Sequence, residues 1–303
     1  MKRLTPILMN PYLKDAIWGG TNLIEAYGKR WRNSTLAESW ELSDFPGCMS
    51  FASDGNFKGK SFGEIRRILG IEKNSVLVKF IDSADDLSVQ VHPSVASANA
   101  LPKNECWYIL DAQDGAQIAY GLKEPLSEDE LTASVEDGSL SDKLNYVNVK
   151  EGDFYYVPAG LIHAIGKGIT LVEIQQTSDT TYRLYDYDRK DSRGNSRELH
   201  VEKAAKAFKN FTDAEIHGFR FHNTKYEKEP GCLCDNEHFT VCRFIGEIFL
   251  LDYKEEECAL VFLGDGVMKC GDEIIKASFG QTYYIPPKCT CVVEADYAIL
   301  TIF

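Results

Sequence analysis

The sequence lacks the long apolar runs and the positive charge that suit a membrane protein or a nucleic-acid binder. No apolar run reaches the roughly 18 residues of a transmembrane helix. Thr5, Pro6, Asn10 and Pro11 interrupt the apolar start, so we expect no secretory signal. The net charge of -13, from 46 acidic and 33 basic residues, disfavours binding to nucleic acid or anionic membranes. We therefore expect a cytoplasmic protein whose partner is a small molecule.

The cysteines show no disulfide framework. There are nine of them, an odd number, and most lie in strand-like segments, so reduced thiols are the expected state. Cys232 and Cys234, like Cys289 and Cys291, are separated by one residue rather than by the two residues of common zinc knuckles. A structural zinc site at either pair is therefore not expected.

Most of the chain is typical of short strands separated by turns. Segments such as 75–82 and 168–176 are rich in β-branched residues, and their density favours an antiparallel barrel or sandwich. The sequence is thus predicted to be mainly β. Ser61 and Glu64 form a capping pair that predicts the start of a helix. The predicted helical stretches are residues 61–70, 127–145 and 198–209.

An internal echo predicts two related β units. Residues 152–158 (GDFYYVP) recur as residues 280–286 (GQTYYIP). Five residues after the proline, the first copy has His163 whereas the second has Cys291. A chain of 303 residues also exceeds the comfortable size of a single core. The expected units are residues 1–215 and residues 216–303.

Two histidines and a glutamate in the first unit predict a metal site. Alternation along the strand 87–92 puts Gln90 and His92 on one face. Glu105 opens a later strand. His92 lies at the turn that ends its strand, and His163 follows a separate turn, so the side chains of both histidines can converge. This set suits zinc or a similar divalent ion that keeps a position open for substrate, with Gln90 as an added oxygen ligand. The alternative for each histidine alone is a hydrogen-bonded core residue.

Cations and a carboxylate accompany the predicted metal site. The candidate cations are Lys79, Lys103, Arg183 and Arg189, and the neighbouring carboxylate is Glu173. Structural salt bridges could explain any one of them. Their concentration in an acidic protein is what an anionic substrate would require.

Several of these segments together resemble the type I mannose-6-phosphate isomerases, in their short bacterial form. The likeness covers nearly the whole chain. The motifs that carry it are Trp18-Gly19-Gly20 and residues 38–44, 77–93, 103–110, 157–189 and 197–203. The resemblance implies a cupin fold, with a zinc-bearing jelly roll, a small helical insertion near the active site, and a second, metal-free jelly roll.

The resemblance also implies roles for particular residues. The zinc ligands of the family fall on Gln90, His92, Glu105 and His163. The family's active-site arginine falls on Arg183. Lys79, Lys103 and Glu173 fall on residues that line the same pocket, and Glu173 and Lys103 are the further catalytic candidates. Lys79 and Arg189 are then expected to bind substrate, and Arg189 falls at a position that lysine can occupy in the family. The large helical domain of longer family members is not expected here.

The implied reaction interconverts mannose 6-phosphate and fructose 6-phosphate through an enediol. Zinc would polarise the carbonyl, and either Glu173 or Lys103 would carry the proton. The alternatives are another metal-dependent cupin, such as an iron dioxygenase or a cupin-type glucose-6-phosphate isomerase, and a non-catalytic sugar-binding module. The sequence does not choose an oligomeric state.

Overall fold

The computed structural model describes residues 4–94, 101–190, 194–221 and 231–303. These residues are mainly β, as predicted, and every strand pair among them is antiparallel. The strands before residue 150 are β1 (Ile7–Asn10), β2 (Tyr12–Lys14), β3 (Glu38–Leu42), β4 (Phe51–Ala52), β5 (Val76–Ser83), β6 (Val89–Val91), β7 (Glu105–Ala112), β8 (Gln117–Leu122) and β9 (Leu144–Asn148). The later strands are β10 (Phe154–Val157), β11 (His163–Ile165), β12 (Ile169–Gln176), β13 (Tyr182–Tyr185), β14 (Arg220–Phe221), β15 (Cys232–Asp235), β16 (Thr240–Asp252), β17 (Cys258–Phe262), β18 (Gly266–Cys270), β19 (Glu273–Ala277), β20 (Thr282–Ile285) and β21 (Thr290–Ile302).

The described helices are short, and none of them is long and apolar enough to cross a membrane. None of the nine cysteines forms a disulfide bond. The α-helices are α1 (Asn22–Glu25), α2 (Phe62–Ile68), α3 (Glu128–Glu136), α4 (Leu140–Lys143), α5 (Val201–Ala207) and α6 (Asp213–Gly218), with one 3-10 turn at Gly55–Phe57.

Two facing sheets form the first jelly roll. A seven-stranded sheet has the order β14-β10-β7-β12-β5-β3-β2, and a five-stranded sheet has the order β13-β6-β11-β8-β9. Trp107 and Leu171 of the first sheet share one buried cluster with Tyr120 and Ile165 of the second. The helices α3, α4 and α5 cover the outer face of the five-stranded sheet.

A nine-stranded sheet encloses the core of the C-terminal unit. Seven of its strands follow the order β15-β16-β21-β17-β20-β1-β4. Strand β18 also pairs with β21, and β19 pairs with β18. Strands β1 and β4 come from the first 52 residues of the chain, so the N-terminal segment completes this sheet. The boundary predicted at residue 215 falls within α6 and stays a prediction.

The seven-stranded sheet is the middle layer of the molecule. One of its faces packs on the five-stranded sheet, and its other face shares a buried cluster with β16, β17 and β20. All eight residues of β5 are buried as a result. This double burial explains why residues 75–82 are apolar with little alternation.

The structure confirms the internal echo at the level of the backbone. Strands β10 and β20 occupy the same places in the two copies, each preceded by a glycine with positive φ, Gly152 at 83° and Gly280 at 78°. Two residues after the proline, Gly160 and Lys288 are also both left-handed, at 98° and 65°. A lysine adopts this conformation rarely, so its presence shows how strongly the shared turn is specified.

The helix predictions are partly correct. Helix α2 begins with the predicted capping box, in which Glu64 N donates to Ser61 Oγ at 3.3 Å and Ser61 N donates to Glu64 Oε2 at 2.8 Å. The helical stretch predicted at 127–145 contains two helices, because Gly138 turns left-handed at φ 78° and separates α3 from α4. Strand β9 then begins at residue 144.

Candidate active site

Three buried side chains converge between the two sheets of the first jelly roll. His92 follows the short strand β6, and Pro93 ends that strand because proline has no N–H to donate. His163 opens β11 directly opposite Gln90, while Glu105 opens β7 in the facing sheet. His92, Glu105 and His163 are each at most 1% exposed.

The three potential ligand atoms of these residues lie within 4.8 Å of one another. Glu105 Oε2 is 3.3 Å from His92 Nε2, and Glu105 Oε1 is 3.5 Å from His163 Nε2. The side-chain amide of Gln90 lies 3.3 Å from His163 Nε2. The structure therefore brings the four predicted ligands to one point.

Backbone carbonyls fix the tautomer of both histidines. His92 Nδ1 donates to the Thr180 carbonyl at 2.9 Å, and His163 Nδ1 donates to the Leu161 carbonyl at 2.8 Å. With each Nδ1 engaged in this way, Nε2 is the ring nitrogen of each histidine that lies next to Glu105. Burial lowers the pKa of His163 to about 3, which keeps that ring neutral. Orientation of this kind is typical of metal-binding histidines.

The chemistry of this donor set fits a divalent ion. Glu105 is fully buried, and neither of its oxygens accepts a hydrogen bond of good geometry among the described residues. Burial favours protonation of this carboxyl, but Lys103, whose Nζ lies 2.6 Å from Oε2, and His92 outweigh it and hold the pKa well below its usual range. An anionic oxygen donor thus lies beside two imidazole nitrogens, a donor set that zinc and similar borderline ions prefer.

A second buried group of charges lies next to these ligands. Glu173 on β12 is opposite Lys79 on β5, and Lys79 Nζ lies 3.2 Å from Glu173 Oε1. Trp107 Nε1 donates to Glu173 Oε2 at 3.2 Å, and Lys103 Nζ is 3.8 Å from Oε1. Lys103 therefore lies between Glu105 and Glu173.

Lys79 also contacts Glu38, with Nζ 3.5 Å from Oε2. Burial works against the charge of Lys79, but Glu173 and Glu38 outweigh it and raise the pKa of this lysine. Lys79 is consequently a permanent cation and is unsuited to act as a base near neutral pH.

A cavity of about 340 Å³ opens onto these groups. Five predicted site residues line it, namely Lys79, Gln90, Lys103, Glu173 and Arg183. Sequence reasoning did not assign a role there to Lys14, Glu38, Asp179 or Arg197. Glu38 and Arg197 both lie in motifs that resemble the family, and this resemblance could have identified them as residues of the cavity.

Arg183 reaches the cavity from β13, where it is opposite Gln90. Its Nε donates to Ser88 Oγ at 3.1 Å, and its Nη1 donates to the Glu198 carbonyl at 2.8 Å. Neither contact neutralises its charge. Burial, and then the nearby Arg197, lower the pKa of this guanidinium.

Arg189 does not line the cavity. Its Nη2 lies 2.7 Å from Asp186 Oδ1, and its Nη1 lies 3.3 Å from Asp85 Oδ2. The structure thus separates Arg189 from the other predicted site residues, and a direct contact with substrate stays a prediction.

The second β unit carries cysteines at two positions where the first carries candidate metal ligands. Strand β7 pairs with β10 as β17 pairs with β20, so the echo aligns Glu105 with Cys258. The same alignment puts Cys291 at the position of His163, and Cys291 is opposite Leu251 as His163 is opposite Gln90. These three positions of the second unit hold no imidazole, carboxylate or amide.

The architecture and the His–Glu–His cluster define the class of protein, a cupin with a candidate metal centre in its first jelly roll. No protein-family model matches the chain. It is similar to mannose-6-phosphate isomerase ManA of Bacillus subtilis, with 37% identity over 295 residues that cover 93% of each chain. It also shares 42% identity over 210 residues, 66% of each chain, with the mannose-6-phosphate isomerase of Streptococcus mutans.

Solved structures agree with these relatives. The crystal structure of mannose 6-phosphate isomerase from Bacillus subtilis matches with a TM-score of 0.85 and 30% identity, covering 99% of this chain and all of that one. A phosphomannose isomerase mutant from Salmonella typhimurium matches with a TM-score of 0.73 at 12% identity, over 99% of both chains, and supports the fold alone. The chain belongs to the mannose-6-phosphate isomerase family.

Proposed function

We propose that this chain interconverts mannose 6-phosphate and fructose 6-phosphate, with one Zn²⁺ held by His92, Glu105, His163 and Gln90. The observation that carries this proposal is the buried His–Glu–His cluster beside Lys103 and Glu173, in a cavity lined by further cations. Membership of the isomerase family supports the same reaction. Nine cysteines without a disulfide bond are consistent with a reducing compartment, the cytoplasm.

The reaction moves a proton between C2 and C1 of the open-chain sugar, while a hydroxyl proton moves between the two oxygens. A bound divalent ion would supply Lewis acidity toward these oxygens. Glu173 is the better candidate to take and return the carbon-bound proton, because a carboxylate has free lone pairs. Trp107 and Lys79 hold that carboxylate in place.

Lys103 would act as a cation at the same point. Its ammonium group contacts Glu105 and lies near Glu173, so a negative charge that develops on the sugar oxygens would meet it. Arg183 is the other catalytic cation, since its charge has no carboxylate partner among its described hydrogen bonds. Charges fixed in advance in this way stabilise a transition state without reorganisation.

A coupled assay for fructose 6-phosphate, with metal analysis of the same sample, tests the proposal. We expect turnover that follows the zinc content and is lost with a chelator. Zinc-loaded protein that forms no fructose 6-phosphate would refute the isomerase function. Oxygen consumption together with bound iron would instead indicate a dioxygenase.

A further inference from the structure

Two cysteines lie opposite each other on strands β15 and β16. Cys232 on β15 is the register partner of Cys242 on β16. Arg243 N donates to the Gly231 carbonyl at 3.1 Å, so these two residues belong to a hydrogen-bonded pair. Because the two kinds of pair alternate along antiparallel strands, Cys232 and Cys242 form the pair without backbone hydrogen bonds between its members. Their side chains therefore share one face of the sheet at the closest cross-strand spacing.

This spacing suits a disulfide bond. The Cα atoms of such a pair are about 4.5 Å apart, which falls within the roughly 4.4–6.8 Å that disulfides span. The two thiols also interact, because burial, and then the charge of Cys232 and a hydrogen bond with it, raise the pKa of Cys242 to about 12. Cys232 Sγ in addition donates to the Cys234 carbonyl at 3.3 Å, which restrains its side chain. The sulfur atoms of Cys232 and Cys242 can therefore be joined with little movement of the strands.

The two thiols differ in their access to solvent. Cys232 is exposed, whereas Cys242 is half-buried. A reagent in water must reach a thiol before it can react with it, and only the thiolate is a good nucleophile. The raised pKa of Cys242 keeps that group protonated near neutral pH. Cys232 is consequently the residue that reacts first.

The other thiols of the second unit contrast with this pair. Four of them lie in its core and are each at most 2% exposed, namely Cys258, Cys270, Cys289 and Cys291. A reagent in water does not reach these thiols while the chain is folded. Among the described residues, Cys232 and Cys242 thus combine an exposed thiol with a second thiol directly opposite it.

We propose that Cys232 and Cys242 form a thiol–disulfide exchange site, at which Cys232 reacts with a low-molecular-weight disulfide and Cys242 then closes a bond between the two strands. This site is independent of the proposed isomerase function. In a reducing compartment the pair is a dithiol, and a bond that forms there under oxidation is typical of redox sensing rather than of structure. The bond should be reversible, because an exposed disulfide is open to attack by small thiols.

The exchange proceeds in two steps. In the first step the Cys232 thiolate attacks one sulfur of the reagent, the S–S bond of the reagent breaks, and one small thiol leaves. The effect of Cys232 on the pKa of Cys242 ends once the Cys232 sulfur is in a mixed disulfide. In the second step the Cys242 thiolate attacks Cys232 Sγ and the second small thiol leaves. The protein loses two electrons and two protons, and the reagent gains them as two thiols.

Glutathione disulfide, added to the reduced protein after the reductant is removed, tests the site. Mass spectrometry of the intact chain should show the loss of two hydrogen atoms, and peptide mapping should find the bond between Cys232 and Cys242. An excess of reduced glutathione should return the dithiol. C234S is the matched control, because it removes the nearest other thiol on β15 and should form the bond as wild type does.

Single variants separate the two steps. C242S should retain one glutathione on Cys232, since the thiol that completes the exchange is missing. C232S should be modified in this segment at least about tenfold more slowly, because the remaining thiol is half-buried. Circular dichroism checks the fold of each variant. If either variant does not fold, the rates at which iodoacetamide labels Cys232 and Cys242 in wild type provide the same comparison.

Three results would overturn the proposal. Wild type that stays fully reduced would exclude the site, and a bond mapped to Cys232 and Cys234 would exclude Cys242 as the partner. Wild type that retains glutathione as C242S does would show that the strands keep the two sulfur atoms apart. Turnover of mannose 6-phosphate enters none of these measurements, so a failure of the isomerase function would leave them unaffected.

Discussion

Lys79 and Glu173 lie opposite each other on adjacent strands of the middle sheet, and their charged atoms are 3.2 Å apart in a nearly solvent-free setting. A pair of this kind is costly to break, because removal of one partner leaves the other charge buried. Lys103 connects this pair to the ligand cluster, because its Nζ lies near both Glu173 and Glu105. The first prediction concerns this pair.

K79M should destabilise the protein by about 3–5 kcal/mol, since it leaves Glu173 without its closest cation. Urea denaturation of the metal-free protein measures the effect. The double variant K79M/E173Q should recover much of the loss, because it removes the buried negative charge as well. A single variant as stable as wild type would show that Glu173 is neutralised in another way.

H92A should lose both bound zinc and turnover while it keeps the fold. Zinc content, measured after dialysis, and circular dichroism of the same sample check the two parts of this prediction. H217A is the matched control, because His217 is exposed on α6. Full metal content in H92A would mean that His92 is not a ligand.

R183A should lower the kcat for mannose 6-phosphate by roughly a hundredfold or more, the loss expected for a positioned charge. Thermal unfolding should change little, since the guanidinium of Arg183 donates only to Ser88 and to the Glu198 carbonyl within the described residues. A normal kcat would leave Arg183 with a structural role or with a role in binding alone.

Glu38 should make stability depend on pH. Burial favours its protonation, but Lys79 and then Lys14 outweigh this and lower the pKa of the carboxyl in the folded chain. A lowered pKa stabilises the folded state above the pKa of the unfolded chain, and the stabilisation is lost as the pH falls through the folded value. The urea midpoint of wild type should therefore fall more steeply below about pH 4.5 than that of E38Q. E25Q, at an exposed position, should follow wild type.

The proposed metal ligands could be selected from the sequence because local patterns specify their positions. Strand alternation puts Gln90 and His92 on one face, and the turn after Pro158 brings His163 to the end of a strand. Comparison of the two repeated segments showed in addition that only the first copy has a histidine, His163, at this position. These signals require no knowledge of which strands are neighbours.

The remaining residues of the site depend on pairing over long distances. Glu38 reaches Lys79 because β3 pairs with β5, which lies some forty residues later, and no local pattern encodes that register. Arg197 and Arg189 illustrate the same limit. Both contact Asp186, yet Arg197 lines the cavity and Arg189 does not, and only the fold determines that.

The thiols at Cys258 and Cys291 have a consequence for how the enzyme is loaded. The second unit builds the same turn and the same strand pairing as the first with cysteine at both of these positions. The strand arrangement shared by the two units forms in the second unit without ligand side chains, so it does not need the ion in order to fold. We therefore expect the chain to fold before the proposed metal ion binds, so that metal supply would set how many molecules are active rather than how many are folded.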